Sequence, residues 1–159
     1  AEIAAGTELP TSGMVFLSLN DRDKPSGLVV AKRLRELGLG IVATSGTADY
    51  LQRFGHPVDR VVGKVSETTA AQSTRGKKEK NSQPDDAVEL IKRGEIAFVI
   101  NTPQGRGGRS DGEAIRKAAN IFRVSSVTTI NAALAAVQGL FEQQEHPLEV
   151  KSLQEYHQQ

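Results

Sequence analysis

Residues 41–47 read Ile-Val-Ala-Thr-Ser-Gly-Thr, an apolar run that passes directly into a short polar turn. The apolar half suits a buried strand, and Gly46-Thr47 opens a helix that is expected to end near Gly55 and Pro57. A buried strand followed at once by a helix is the repeating unit of parallel α/β sheets. This stretch therefore indicates an α/β fold.

The same order of apolar run, polar cluster and helix recurs on both sides of this stretch. Further strands are predicted over residues 14–19, 58–62, 96–100 and 124–127. Further helices are predicted over residues 21–37, 84–93, 111–123 and 131–140. The alternation predicts a three-layer, Rossmann-like α/β domain, with a five-stranded parallel sheet flanked by helices. We expect this domain to span residues 14–141, between a linker at 1–13 and a polar tail at 142–159.

Short polar clusters follow several of the predicted strands. They are Ser18 to Lys24, residues 44–47, Asn101-Thr102 and Thr128-Thr129. In an open parallel sheet, ligands bind outside the carboxyl ends of the strands, so these clusters are expected to meet at one edge. Hydroxyls, an amide, a glycine and a lysine at such an edge suit a phosphorylated small molecule.

The turn Thr44-Ser45-Gly46-Thr47 is a candidate phosphate cradle. A helix N-terminus offers free N–H groups and a partial positive charge, and Gly46 lets a ligand approach the backbone. Lys24, at the mouth of the first strand, would add a point charge, and Lys64 after the third strand is a similar case. The alternatives are helix caps for the hydroxyls and surface positions for the lysines. The sequence contains no GxxxxGK[ST] loop.

Three further features each have two interpretations. Asn101 opens a Gly- and Arg-rich loop at 101–110, which either binds an anion or is simply solvated. Residues 73–80 carry an excess of positive charge and form either a surface loop or an electropositive lid. Asp85 and Asp86 are either first-turn acids favoured by a helix dipole or a catalytic pair.

Composition and charge exclude several classes of protein. The 159 residues suffice for one domain with a core, and no run approaches the roughly 20 apolar residues of a membrane-spanning helix. The absence of cysteine excludes disulfides and thiolate metal sites, and the histidines share no metal-ligand spacing. A net charge of +1 argues against nucleic acid as a partner. Because the chain begins Ala-Glu-Ile, we expect a piece of a longer polypeptide.

The motifs occur in a characteristic order over most of the chain. They are Ser18-x5-Lys24, Ala43-Thr44-Ser45-Gly46-Thr47-Ala48, Lys64-Val65, Ile100-Asn101-Thr102 and Thr128-Thr129-x-Asn131. This order resembles the methylglyoxal-synthase-like superfamily, and within it the C-terminal allosteric domain of the carbamoyl-phosphate synthase large subunit. The resemblance implies a five-stranded parallel sheet flanked by helices, in agreement with the periodicity.

The resemblance also implies a regulatory role without catalysis. Domains of this kind bind effectors, such as UMP, which inhibits, and in some members IMP or ornithine, and they alter the synthetase domains upstream. By position, the phosphate would lie at the turn 44–47 with Lys24, and the rest of the nucleotide would contact Lys64 and Asn101. The implied effector-binding residues are Ser18, Lys24, Thr44, Gly46, Thr47, Lys64, Asn101 and Thr102.

Two departures from the family pattern bear on the effector. Pro103 stands where some members carry a second threonine, which removes one hydroxyl and one backbone donor. Ser126-Val127 stand where ornithine-responsive members have Tyr-Asp, so ornithine is not expected to act, although Thr128 is retained.

Other functions are left open by the same motifs. The main alternative is methylglyoxal synthase acting on dihydroxyacetone phosphate, whose catalytic Asp lies in a Gly-Gly-Asp-Gln-like turn. This chain has no glycine at the corresponding residues 82–86. IMP cyclohydrolase shares the first half of the fold, but its Lys-Thr-Leu-His-like element is absent. A purely structural interaction module is the remaining alternative.

For the whole protein, the resemblance implies a ligase that makes carbamoyl phosphate from glutamine, bicarbonate and ATP for pyrimidine and arginine synthesis. The implied partners are the synthetase domains of the same large subunit and a glutaminase small subunit. ATP and Mg or Mn would belong to the parent enzyme, and no cofactor, metal or membrane partner is expected for this domain. The expected location is the cytoplasm.

Overall fold

The computed structural model describes residues 10–63, 86–103 and 109–145, in which strands and helices alternate. The strands are β1 (Met14–Ser18), β2 (Gly40–Thr44), β3 (Arg60–Val62), β4 (Ile96–Asn101) and β5 (Ser125–Val127). The helices are α1 (Lys24–Glu36), α2 (Ser45–Arg53), α3 (Ala87–Lys92), α4 (Arg109–Ile121) and α5 (Ile130–Glu145). Every strand predicted from the sequence is present.

The strands form one parallel sheet in the order β3-β2-β1-β4-β5. β1 lies at its centre, paired with β2 on one side and with β4 on the other. The middle residues of β1, Val15, Phe16 and Leu17, are all fully buried. A continuous apolar run of this kind is typical of a parallel strand covered on both faces. The predicted five-stranded parallel sheet is confirmed.

Helices cover both faces of the sheet. On one face, Val15 and Leu17 pack with apolar side chains of α1, α2 and α5. On the other face, Phe16 packs with side chains of α3 and α4. Because successive side chains of a strand point to opposite faces, one apolar run contributes to both cores. The predicted three-layer α/β arrangement is confirmed.

Four helices end in the left-handed backbone conformation. The residues after α1, α2 and α3 are Gly38, Gly55 and Gly94, with φ values of 77°, 81° and 73°. Glycine adopts this conformation with little strain and ends helices in this way, as the sequence predicted. After α4 the same conformation falls on Arg123, with φ of 55°.

The start of α1 differs from the prediction. The helix begins at Lys24 rather than at Asp21, because residues 20–23 form a turn. In this turn the Asn20 carbonyl accepts hydrogen bonds from Asp23 N at 3.1 Å and from Lys24 N at 3.2 Å. Pro25 follows in the first turn of the helix, a position at which its missing N–H has no cost.

Other boundaries also differ by a few residues. α4 begins at Arg109, before the predicted residue 111, and β3 is shorter than the predicted 58–62. α5 continues past the predicted end at Leu140 to Glu145, because polar residues on a solvent-facing side do not interrupt a helix. The helix thus enters the segment predicted as a polar tail, of which residues 146–159 lie outside the described part.

Across the three described ranges, no helix has the length and the apolar character that crossing a lipid bilayer requires.

Candidate functional site

The strand order reverses between β1 and β4. β1 continues through α1, which packs on one face of the sheet, whereas β4 continues through α4 on the other face. Connections that diverge in this way leave a crevice at the carboxyl ends of the two strands, where open α/β sheets bind ligands. Ser18 and Asn101 end these strands and are partners in the register of the sheet.

The two loops that leave this crevice are tied together by hydrogen bonds. Thr102 N donates to the Ser18 carbonyl at 2.9 Å. Asn20 N and Asn20 Nδ2 both donate to Thr102 Oγ1, at 3.0 and 3.2 Å. Asn20 Nδ2 also donates to Asp23 Oδ2 at 2.7 Å, at the start of α1. These hydrogen bonds hold the ends of β1 and β4 in a defined relation to each other.

A second set of hydrogen bonds ties the first turn of α2 to the loop after β1. Leu19 N donates to Thr47 Oγ1 at 3.0 Å, and Thr44 Oγ1 donates to the same atom at 3.2 Å. Both threonines are buried. Thr44 occupies the N-cap position of α2, but its side chain makes no capping hydrogen bond. The capping alternative therefore does not account for Thr44.

Two buried hydroxyls use their acceptor capacity within the protein. Thr47 Oγ1 accepts from Leu19 and Thr44, and Thr102 Oγ1 accepts from both nitrogens of Asn20. A hydroxyl oxygen has two lone pairs and one proton, so each of these groups has only its O–H left to offer. Groups that can only donate suit a ligand rich in acceptors, such as a phosphate.

The first turn of α2 combines the partial positive charge of a helix N-terminus with the ammonium group of Lys24. The N-cap residue Thr44 makes no side-chain hydrogen bond to the N–H groups of this helix end, which carry a partial positive charge that favours an anion. A Cβ atom built on Gly46 would lie 3.7 Å from Lys24 Nζ, so the lysine ammonium lies against this turn. The Lys24 side chain is 16% exposed, and its Nζ contacts Asp21 Oδ1 at 2.6 Å. An ammonium group beside an open helix N-terminus favours an anion.

Asn101 is positioned by the first turn of α4. Its side chain is buried, and Nδ2 donates to the Gly112 carbonyl over 3.4 Å. A Cβ atom at Gly112 would come within 3.0 Å of Asn101 Nδ2. The absence of a side chain at Gly112 therefore leaves space for the Asn101 amide at the crevice.

The amino-acid sequence shows the family to which this chain belongs. A family model described as the MGS-like domain matches residues 27–128, from α1 to just beyond β5. The chain belongs to this family. The family resemblance inferred from the motifs is thereby confirmed.

Curated relatives of this MGS-like domain include large chains of carbamoyl phosphate synthase. The large chain from Synechocystis sp. is 39% identical over 156 residues, which cover 98% of this chain and 13% of the relative. The C-terminal section of the large chain from Methanopyrus kandleri is 40% identical over 158 residues, which cover 99% of this chain and 26% of the relative. The chain thus spans a small part of the length of the relatives it matches.

Among solved structures, the methylglyoxal synthase from Elizabethkingia anophelis has the same fold. The two superpose with a TM-score of 0.56 at 13% sequence identity, covering 95% of this chain and 93% of the other. At this identity the likeness concerns the fold alone. It confirms the predicted methylglyoxal-synthase-like fold.

Most of the predicted site residues lie on the loops and strand ends around this crevice. The structure places there Ser18, Lys24, Thr44, Gly46, Thr47, Asn101 and Thr102. Lys64 lies outside the described residues, as do the basic segment 73–80 and residues 104–108 of the Gly- and Arg-rich loop. The roles in binding of all the predicted site residues, described or not, stay predictions.

The fourth predicted cluster, Thr128-Thr129, follows β5, which lies at the edge of the sheet beyond β4. Both threonines are exposed. Thr129 Oγ1 accepts a hydrogen bond from Ala132 N at 3.2 Å, at the start of α5. In the described structure, Thr129 therefore acts as a helix cap.

Two residues that shape the site were missed by sequence reasoning. Asn20 joins the loops after β1 and β4, and the signal was an asparagine three residues before Asp23 at a helix start, where its side-chain oxygen can accept a hydrogen bond from the Asp23 N–H. Gly112 had no local signal, because the need for a glycine comes from Asn101 on another element.

Asp86 is a helix cap in this structure. Its Oδ1 accepts a hydrogen bond from Val88 N at 3.0 Å, at the start of α3. This supports its interpretation as an acid favoured at a helix N-terminus, whereas Asp85 lies outside the described residues. Within the described ranges, no group of three or more His, Cys, Asp or Glu side chains could hold a metal ion.

Proposed function

We propose that this chain is the regulatory domain of a carbamoyl phosphate synthase large chain, and that it binds a UMP-type nucleoside monophosphate. The observation that carries the proposal is the position of the Lys24 ammonium against the first turn of α2, beside the donor-only hydroxyl of Thr47. Similarity to such large chains over nearly the whole sequence supports the choice of parent enzyme.

The proposed complex divides the site into two parts. The phosphate binds at the turn that contains Gly46 and Thr47, where Lys24 supplies a full positive charge. The remainder of the nucleotide meets Asn101, whose amide can both donate and accept, together with Lys64, which follows the third strand in the sequence. Ser18, Thr44 and Thr102 complete and support the site. IMP is a second candidate ligand for this site, because it is also a nucleoside monophosphate.

The parent enzyme is proposed to be a cytoplasmic ligase that makes carbamoyl phosphate from glutamine, bicarbonate and ATP for pyrimidine and arginine synthesis. This domain makes no bond itself. The synthetase domains would bind ATP with Mg or Mn, and a separate glutaminase subunit would supply ammonia. Regulation requires that the nucleotide binds one state of the synthetase domains more tightly than another.

Methylglyoxal synthase is a second candidate, because a protein of that name has the same fold. Such an enzyme would need a catalytic carboxylate near the site. Residues 82–86 lack the glycines of that enzyme's catalytic turn, and Asp86 accepts a capping hydrogen bond from Val88 N at the start of α3. The regulatory proposal is therefore the better supported of the two.

Calorimetric titration of this chain with UMP tests the proposal. We expect saturable binding, and we expect Lys24→Ala to weaken it about tenfold or more, because a hydrogen bond to a charged group is lost. Lys32→Ala is the matched control, since Lys32 is an exposed lysine on the same helix, paired with Glu36. It should leave the affinity unchanged.

The comparison ligands are IMP and dihydroxyacetone phosphate. Turnover of dihydroxyacetone phosphate without nucleotide binding would establish methylglyoxal synthase instead. Equal loss of UMP affinity in both lysine variants would show that the phosphate does not bind at Lys24.

A further inference from the structure

The ion pair between Lys24 and Asp21 is strongly asymmetric. The two side chains meet at 2.6 Å, but the Lys24 side chain is 16% exposed whereas the Asp21 side chain is 76% exposed. The ammonium is thus held within the site, and the carboxylate reaches it from the solvent side.

The surroundings of Lys24 require a negative partner. Its ammonium lies against Gly46 in the first turn of α2, and the N–H groups of this helix end carry a partial positive charge of the same sign. A largely buried ammonium beside a positive helix end is costly unless an anion compensates it. The carboxylate of Asp21 supplies this compensation.

A bound phosphate would need the same ammonium. The ammonium has three protons and could in principle contact two anions, but a phosphate and the Asp21 carboxylate would then lie close together with like charge. Either the carboxylate moves away on binding or it repels the ligand. In both cases the presence of Asp21 weakens binding of the phosphate.

We propose that Asp21 is an intramolecular competitor of the phosphate group: its carboxylate neutralises Lys24, and the ligand displaces it. This inference rests on the proposed function, because it assigns the phosphate to the same lysine. The competition sets the affinity for phosphate below the value that Lys24 and the helix end would give alone.

The test is calorimetric titration of the Asp21→Asn variant with UMP and, separately, with inorganic phosphate. Removing the competing charge should tighten binding of both ligands by about threefold to tenfold. Glu36→Gln is the matched control, because Glu36 is a carboxylate paired with Lys32 and Arg33 at the far end of α1, away from Lys24. It removes the same charge and should leave both affinities unchanged.

A second comparison separates competition from a general effect of charge. In the Lys24→Ala background the carboxylate has no ammonium to neutralise, so adding Asp21→Asn should change the affinity much less. An equal gain in both backgrounds would overturn the proposal.

The outcomes also separate this inference from the proposed function. If the wild-type chain binds UMP and Asp21→Asn binds it equally or more weakly, competition is wrong and the nucleotide function stands. If Asp21→Asn gains affinity for phosphate but neither protein binds UMP, competition stands and the nucleotide function falls. If neither the wild type nor the variant binds UMP or inorganic phosphate, both the competition and the nucleotide-binding function are wrong.

Discussion

At the scale of single residues, the candidate site uses side chains that also hold the fold together. Thr47 accepts hydrogen bonds from Leu19 N and from Thr44, and Thr102 accepts two from Asn20. The same hydroxyls are candidate ligand donors. Loss of ligand binding on substituting Thr47 would therefore not by itself assign the residue to the ligand, which makes Lys24 the cleaner probe.

We predict that Thr47→Val lowers the free energy of unfolding by about 1–3 kcal/mol, because the buried Leu19 N–H loses its acceptor. Urea unfolding of the unliganded chain measures this change. Thr47→Ser keeps the oxygen and should retain most of the stability. A valine variant as stable as the wild type would show that the hydrogen bond to Leu19 contributes nothing.

At the scale of elements, two glycines in helices have opposite environments. A Cβ atom on Gly112 in α4 would lie 3.0 Å from Asn101 Nδ2, whereas a Cβ atom on Gly139 in α5 would meet nothing within 4 Å. Glycine weakens any helix relative to alanine. The difference between the two positions therefore comes from packing against the site and not from helix propensity.

Gly139→Ala should raise the free energy of unfolding by about 0.5–1 kcal/mol, because alanine favours the helix and the space is open. Gly112→Ala should raise the free energy of unfolding by less than Gly139→Ala does, because the Asn101 amide must move to make room for the methyl group. It should also weaken UMP binding by about threefold or more, if an amide displacement costs part of one hydrogen bond. Urea unfolding and calorimetric titration measure the two effects. Equal gains and unchanged affinity in both variants would contradict the role assigned to Gly112.

At the scale of the whole molecule, the edge of the sheet opposite the site is held by a charged group. Asp59 Oδ2 accepts a hydrogen bond from Ile41 N at 2.7 Å and lies 2.9 Å from Arg35 NH2. Burial raises the pKa of Asp59, but the hydrogen bond from Ile41 N and the Arg35 guanidinium outweigh it, so the pKa is below its ordinary value of 3.8. This carboxylate joins the end of α1 to the start of β2.

The lowered pKa of Asp59 predicts how global stability depends on pH. A carboxylate with a lowered folded-state pKa stabilises the fold above its ordinary pKa, and this contribution is lost as the pH falls through the lowered value. Asp59→Asn should therefore be less stable than the wild type near neutral pH, and the gap should narrow as the pH falls below about 4. Urea unfolding at a series of pH values measures the gap. In an Arg35→Gln background the gap should be smaller, and a gap that does not depend on pH would contradict the assignment.

The layers, the strands and most of the candidate site residues could be predicted from the pattern of amino acids alone. Short apolar runs such as Val15 to Leu17 are typical of strands buried on both faces, and their alternation with helix-like segments indicates a parallel sheet between helices. Polar residues directly after such runs must emerge at the carboxyl edge, which is why Ser18, Thr44 and Asn101 could be chosen in advance.

The tertiary structure decided which of these residues meet and what their hydrogen bonds are. The strand order puts β1 beside β4, so Asn20 bonds to Thr102 across 82 positions of sequence, and Leu19 bonds to Thr47 across 28. Local patterns carry no information about such partners, because they arise from packing between distant segments. The contact of Lys24 with Asp21 is local in sequence, yet only the nearby first turn of α2 gives that ion pair its significance.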